Sequence, residues 1–187
     1  MDKPIFQHAD VIAREISESV QKVDGTQIEE LIKRIMRSES IFVAGGGRSG
    51  LMIRSFAMRL MQMGYKVHVV GETVTPAIGE RDLLLIGSGS GETQSLVAMA
   101  QKAKSIGSAL AVVTIKPESR LGKLSDTVVV LPGATKDQNP DNLVTVQPMA
   151  SLFEQTLLIV LDAVILRLME QKELQSDNMF GLHANLE

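Results

Sequence analysis

Two short segments combine glycines with hydroxyl side chains, each directly after an apolar run. The first is Ala44-Gly45-Gly46-Gly47-Arg48-Ser49-Gly50, and the second is Gly87-Ser88-Gly89-Ser90-Gly91-Glu92-Thr93. In the second, Gly87, Gly89 and Gly91 let a backbone approach an anion closely, while Ser88, Ser90 and Thr93 add hydroxyl donors beside the unpaired N–H groups of a helix start. That combination suits a phosphate monoester, which needs several donors converging from one side. Serines acting only as helix caps would explain one hydroxyl, not three in seven residues.

The first segment admits another reading. Gly45, Gly47 and Gly50 satisfy G-x-G-x-x-G between a strand and a helix, and Glu72 stands where an acidic group could hold a ribose, so a nicotinamide dehydrogenase competes. A dinucleotide, however, needs a crevice along two half-folds, for which 187 residues leave little room. Arg48 is the one cation inside either segment. It has two readings, a ligand for phosphate or a developing oxyanion, and an ordinary salt bridge at a helix start.

Groups able to move protons are few. Glu154 begins an otherwise apolar stretch, flanked by Leu152, Phe153, Leu157 and Leu158, where partial desolvation would raise its pKa towards the range of a general base. Its plainer reading is a carboxylate complementing the helix dipole. Asp162, two turns on, reads as a buried pairing partner. The histidines are His8, His68 and His183. His68 falls inside a strand and reads as packed, and His8 lies on an amphipathic helix. His183 lies in a segment with no other evident purpose, where it is either a proton shuttle near neutral pH or an exposed histidine. No spacing of His or carboxylates resembles a metal site, no cofactor is implied, and the absence of cysteine removes disulfide, thiolate-metal and thiol chemistry.

These groups must be positioned by a parallel α/β arrangement. Apolar residues recur at helical spacing before residue 40, predicting two amphipathic helices, the second opened by a Thr26–Glu29 capping box after Gly25. Short apolar runs then alternate with helical stretches. Strands are expected at 40–44, 66–70, 83–86, 109–114 and 127–131, with helices at 51–63 and 93–106. Residues 132–148 read as a long polar loop, and 149–169 as a buried helix interrupted by Glu154, Asp162 and Arg167, short of a membrane span. In 173–187, Met179, Phe180, Leu182 and Leu186 are too apolar for a solvated segment and are expected to dock on protein.

Composition narrows the function. Nineteen Lys and Arg against 22 Asp and Glu, net −3, with only 3% aromatic residues, is not the profile of a nucleic-acid binder. The first twenty residues carry Asp2, Asp10, Glu15 and Glu18 where a secretory signal needs an apolar stretch, so a cytoplasmic location is expected, with no membrane association.

Taken together, AGGGRSGLMIRSFAMRLMQMGY (44–65), IGSGSGET (86–93), VVTIKPESRLGKLSD (112–126), QPMASLFEQTLLIVLDAVILRLM (147–169) and HANLE (183–187) resemble the sugar isomerase (SIS) domain family of phosphosugar-binding proteins. Leu182 departs from the basic or histidine residue frequent there. The resemblance implies interconversion of D-arabino-hex-3-ulose 6-phosphate and fructose 6-phosphate through a cis-enediolate. That is the partner step to condensation of formaldehyde with ribulose 5-phosphate in the ribulose monophosphate pathway. It also implies a homo-oligomer, commonly a tetramer, with sites near subunit contacts. By residue matching, Ser49, Ser88, Ser90 and Thr93 fall on phosphosugar-binding positions, with Gly47, Arg48, Gly89 and Gly91 beside them, and Glu154 and His183 fall on acid/base positions.

The expected architecture is a three-layer αβα sandwich with a five-stranded parallel sheet, order 2-1-3-4-5, in one domain over 1–187. It comprises N-terminal helices at 1–39, an α/β core at 40–172 and a tail at 173–187 that completes the site. Other phosphosugar isomerases and a non-catalytic phosphosugar-sensing SIS module remain as alternatives. The sensor is disfavoured because the first forty residues offer no basic recognition helix.

Overall fold

The computed structural model describes residues 4–134 and 145–186. Twelve elements follow in order. They are α1 (Ile5–Val20), α2 (Gly25–Arg37), β1 (Ile41–Gly45), α3 (Gly47–Gln62), β2 (Val67–Val69), β3 (Leu83–Gly87), α4 (Gln94–Ile106), β4 (Ala109–Thr114), α5 (Arg120–Leu124), β5 (Thr127–Val130), α6 (Ser151–Gln171) and α7 (Ser176–Phe180). The five strands form one parallel sheet in the order β2-β1-β3-β4-β5, as expected. Most of the expected polar loop, 135–144, lies outside the described residues.

Strand alternation divides the core into two apolar layers. Ile41, Val43, Leu83, Leu85, Ala111 and Val113 face one side, where α2, α3 and α6 cover them. Phe42, Ala44, Leu84, Ile86, Leu110 and Val112 face the other, beneath α4 and α5. Both faces are therefore dry, as a central parallel sheet requires. α1 lies outside the first layer and packs on α6.

Several local expectations are corrected. The capping box at the start of α2 does not form. Asp24 is the cap, accepting from the Thr26 N–H at 2.8 Å and the Thr26 hydroxyl at 2.7 Å, and Gly25 is the first helical residue. Glu29 is turned outward to Arg167, 3.0 Å away on α6. α3 starts at Gly47, four residues before the expected Leu51, so the glycine segment is itself the first helical turn. Asp162 is exposed on the outer surface of α6, not buried. α5 and α7, five residues each, are too short to show a period.

His68 sits in the half-buried edge strand β2, its ring centroid 5.0 Å from that of Phe42, so its packed reading holds. His8 is exposed on α1. The 173–186 segment docks only in part. Met179 packs on the core, whereas Phe180 and Leu182 are exposed and Leu186 is fully so. No helix among the described residues is long and apolar enough to cross a membrane.

Candidate active site

The parallel ladder between β1 and β3 pairs Gly45 with Gly87, so the two glycine segments emerge side by side at the carboxyl ends of adjacent strands. This is the switch point of the sheet, where chain connections leave in opposite directions and open a crevice. Gly45 and Gly50 hold the geometry of the first segment, because a Cβ on Gly50 would lie 2.6 Å from the Gly45 carbonyl oxygen. The start of α3 can thus lie directly over the end of β1. Gly91 does the same for the second segment, with φ of +64° and a would-be Cβ 1.9 Å from the Ser119 hydroxyl. Gly91→Ala is accordingly expected to cost about 2–4 kcal/mol of stability, left-handed strain adding to overpacking. Urea unfolding checks this, and an unchanged midpoint would mean the loop absorbs a methyl group freely.

Between the segments lies a cavity of about 410 Å³. Gly47, Arg48 and Ser49 line it from α3; Ser88, Gly89, Ser90 and Thr93 line it from the β3–α4 loop; Glu154 lines it from α6. Gly91 shapes the loop from beneath without lining the cavity.

Two helix starts open on this space without side-chain caps. The N-cap of α3 is Gly46, and Thr93, the N-cap of α4, makes no capping bond and leaves its hydroxyl exposed. The first-turn N–H groups of both helices are therefore available, and together they favour negative charge. The Ser88 hydroxyl accepts from the Gly91 N–H and the Ser90 hydroxyl from the Glu92 N–H, each at 3.3 Å. A hydroxyl that accepts from the backbone still has its own proton to donate.

Glu154 is buried in the first turn of α6, and Arg48 reaches it across the cavity. The Arg48 Nε lies 3.1 Å from Glu154 Oε2, and Arg48 Nη1 donates to the Ser151 hydroxyl at 3.0 Å. The structure shows the salt-bridge reading of Arg48, and the pair it forms lines the cavity between the two glycine segments. A lone buried carboxylate would be costly, and the guanidinium supplies its charge partner.

His183 is not brought to this cavity within the chain. It lines a separate space of about 450 Å³ with Arg59, Gln62, Asp162, Met169 and Phe180, and its ring is stacked on Phe180 at 6.2 Å. Asp162 and Met169 lie two and four turns along α6 from Glu154, which at 1.5 Å per residue is roughly 12–22 Å. Glu72, the acidic group a nicotinamide ribose would need, is paired with Arg54 at 3.2 Å.

Sequence reasoning did not single out Ser151, Ile115 or Ala150. Ile115 follows β4, the third strand end at this rim, and Ala150 caps α6. Ser151 precedes Glu154 by three residues on one helix face, a spacing that could have marked it.

Residues 34–165 match the model of the SIS domain. The chain is 53% identical over 176 residues, 94% of its length and 95% of the relative's, to a Bacillus subtilis (strain 168) protein named 3-hexulose-6-phosphate isomerase. A Mycobacterium gastri protein of the same name is 42% identical, over 98% of this chain and 92% of its own. A solved structure from Methanococcus jannaschii, whose description infers a molecular function of 3-hexulose-6-phosphate isomerase, superposes with a TM-score of 0.84. It is 33% identical and covers 97% of this chain and 99% of that one. With the switch-point cavity and both glycine segments common to one domain, and with relatives this similar along nearly its whole length, the chain belongs to the SIS domain family and is an isomerase.

Proposed function

We propose that the protein interconverts D-arabino-hex-3-ulose 6-phosphate and fructose 6-phosphate. The supporting observation is that the two glycine–hydroxyl segments and a buried carboxylate line one cavity. The phosphate is received by the first-turn N–H groups of α3 and α4 and by the hydroxyls of Ser49, Ser88, Ser90 and Thr93. The carbon chain then extends towards Glu154.

The reaction moves a carbonyl from C3 to C2. Glu154 removes the C2 proton, the electron pair forms the C2–C3 double bond of a cis-enediolate, and charge develops on O3. Glu154 returns the proton to C3 as the O2–H proton leaves and the C2 carbonyl forms. One base on one face serves both steps, and Arg48 stands beside it to stabilise the oxyanion. In the 3-ulose, closing a furanose ring on C3 would need O6, which carries the phosphate. The substrate is therefore open-chain and needs no ring-opening acid.

His183 carries the proton between O2 and O3, and because it lies away from Glu154 in its own chain we assign it to a neighbouring subunit's site. The assembly on this reading is a cytoplasmic homotetramer of a single 187-residue domain. It works in the ribulose monophosphate pathway, after formaldehyde is condensed with ribulose 5-phosphate.

Ser88→Ala and Ser90→Ala are each expected to weaken fructose 6-phosphate binding by about 1.5–3 kcal/mol, the range for a hydrogen bond to a charged oxygen. Calorimetry checks this, and unchanged affinity in both variants would remove the cradle. The function itself is tested by following fructose 6-phosphate with carbon NMR in the presence of the protein. A C3 ketone is expected; glucose 6-phosphate would assign an aldose–ketose isomerase, and no change would favour a binding module.

A further inference from the structure

The segment that leads into α6 is held by a side chain from a different part of the fold. Glu15 of α1 accepts three hydrogen bonds from three consecutive residues. They come from the Thr145 hydroxyl at 2.6 Å, the Val146 N–H at 2.9 Å and the Gln147 side-chain amide at 2.8 Å. Gln147 is 6% exposed, whereas Val146 is exposed and Glu15 itself half-buried, so the contact is sheltered on the Gln147 side alone. Burial pushes the Glu15 carboxyl up, but the bonds from Thr145, Val146 and Gln147 outweigh it and hold the group below the usual carboxylate range.

Immediately after these residues the backbone is strained. Met149 has φ of +59°, a left-handed conformation that a side chain with a Cβ disfavours. Its side chain is 63% exposed, so packing does not impose the turn. Nor does a cap, because Ala150, the N-cap of α6, makes no side-chain capping bond. Ser151 and Glu154, the two partners of Arg48, occupy the first turn that this strained residue launches.

We infer that Glu15 is a positioning residue for the active site, a latch on α1 that holds residues 145–147 so that the strained turn at Met149 presents Ser151 and Glu154 to Arg48. Strain of this kind persists only where the surroundings over-determine it, and here the determinant lies on another helix. The inference rests on the catalytic assignment of Glu154 made above, and it adds a residue that touches neither substrate nor the reacting atoms.

The test compares Glu15→Ala, Glu15→Ala/Met149→Gly and Ser19→Ala in the full chain. Ser19 is the control, since it ties the same helix to the Pro132 carbonyl at 3.1 Å, a bond that involves neither residues 145–147 nor Ser151 or Glu154. Glu15→Ala is expected to lower kcat roughly 10- to 100-fold, the scale of a misplaced catalytic group. Its calorimetric Kd for fructose 6-phosphate should be unchanged, because the cradle is built by α3 and α4. Met149→Gly should restore most of the loss by letting the turn form without strain. Ser19→Ala should lower stability but not kcat.

Amide hydrogen exchange across residues 146–157 supplies a readout independent of turnover. It should be faster in Glu15→Ala and slowed again in the double variant. Wild-type exchange rates in Glu15→Ala would overturn the latch whatever the activity. An equal loss of kcat in Ser19→Ala, or no rescue by Met149→Gly, would reduce Glu15 to general support of the fold. A wild-type protein without isomerase activity that still shows the exchange pattern would overturn the catalytic reading and leave the latch standing.

Discussion

Glu154→Gln is expected to bind fructose 6-phosphate as the parent does and to turn it over about 10²–10⁴ times more slowly, the loss that follows removal of a general base. The amide keeps the shape of the carboxylate and can still accept a hydrogen bond from Arg48, so the cavity survives while its proton acceptor does not. Binding should be preserved because, on the proposed reading, the phosphate is received by α3, α4 and the serine hydroxyls and not by Glu154. Steady-state rates with calorimetry on the same preparation separate the two effects. Near-normal kcat would move the base elsewhere, and lost affinity would make Glu154 part of the binding wall.

Deleting residues 179–187 is expected to abolish isomerisation while leaving phosphosugar binding and the oligomer intact. Within one chain this segment buries little. Phe180 is 79% exposed, Leu182 is 50% exposed, and only Met179 reaches the core. Burial of apolar surface is worth about 25 cal/mol per Å², so a second subunit covering these side chains, as proposed, would stabilise the docked segment. Glu154→Gln subunits and tail-deleted subunits, each inactive, are dissociated, mixed and reassembled. Activity should return, since some sites receive Glu154 from one chain and His183 from another. Mixed oligomers without activity would place His183 in its own chain's site or outside the chemistry.

The strands were legible because alternation, glycine stops and length all agreed. Ala109–Thr114 is found at its expected limits, β3 and β5 shift by one residue at one end, and β1 and β2 by one residue at each end. The expected order 2-1-3-4-5 already puts the first and third strands side by side, and the observed register sets Gly45 beside Gly87. Glu154 was legible for a different reason, since a charge in an apolar helix must be met by a partner. The identity of that partner was not, because Arg48 is 106 positions away and only the packing of α3 on α6 joins them.

What could not be read was set by neighbours in space. Asp162 looked buried because its sequence neighbours are apolar, yet it falls on the outward side of α6, where periodicity alone does not say what covers a helix. Asp24 displaced the expected capping box because its carboxylate, one position before Gly25, captured the Thr26 N–H first. The Glu15 latch joins residues 130 and more positions apart, and no local pattern announces such a pairing.

The proposed chemistry is proton transfer between C2 and C3 of a six-carbon ketose phosphate. Fructose 6-phosphate incubated with the protein in deuterated water tests it directly. Proton NMR should show deuterium entering at C3, from reversible formation of the cis-enediolate while the proton held on Glu154 exchanges with solvent, with C1 unlabelled. Label at C1 in place of C3 would contradict the account in favour of an aldose–ketose isomerase, and the absence of both label and conversion to the 3-ulose would contradict catalysis altogether.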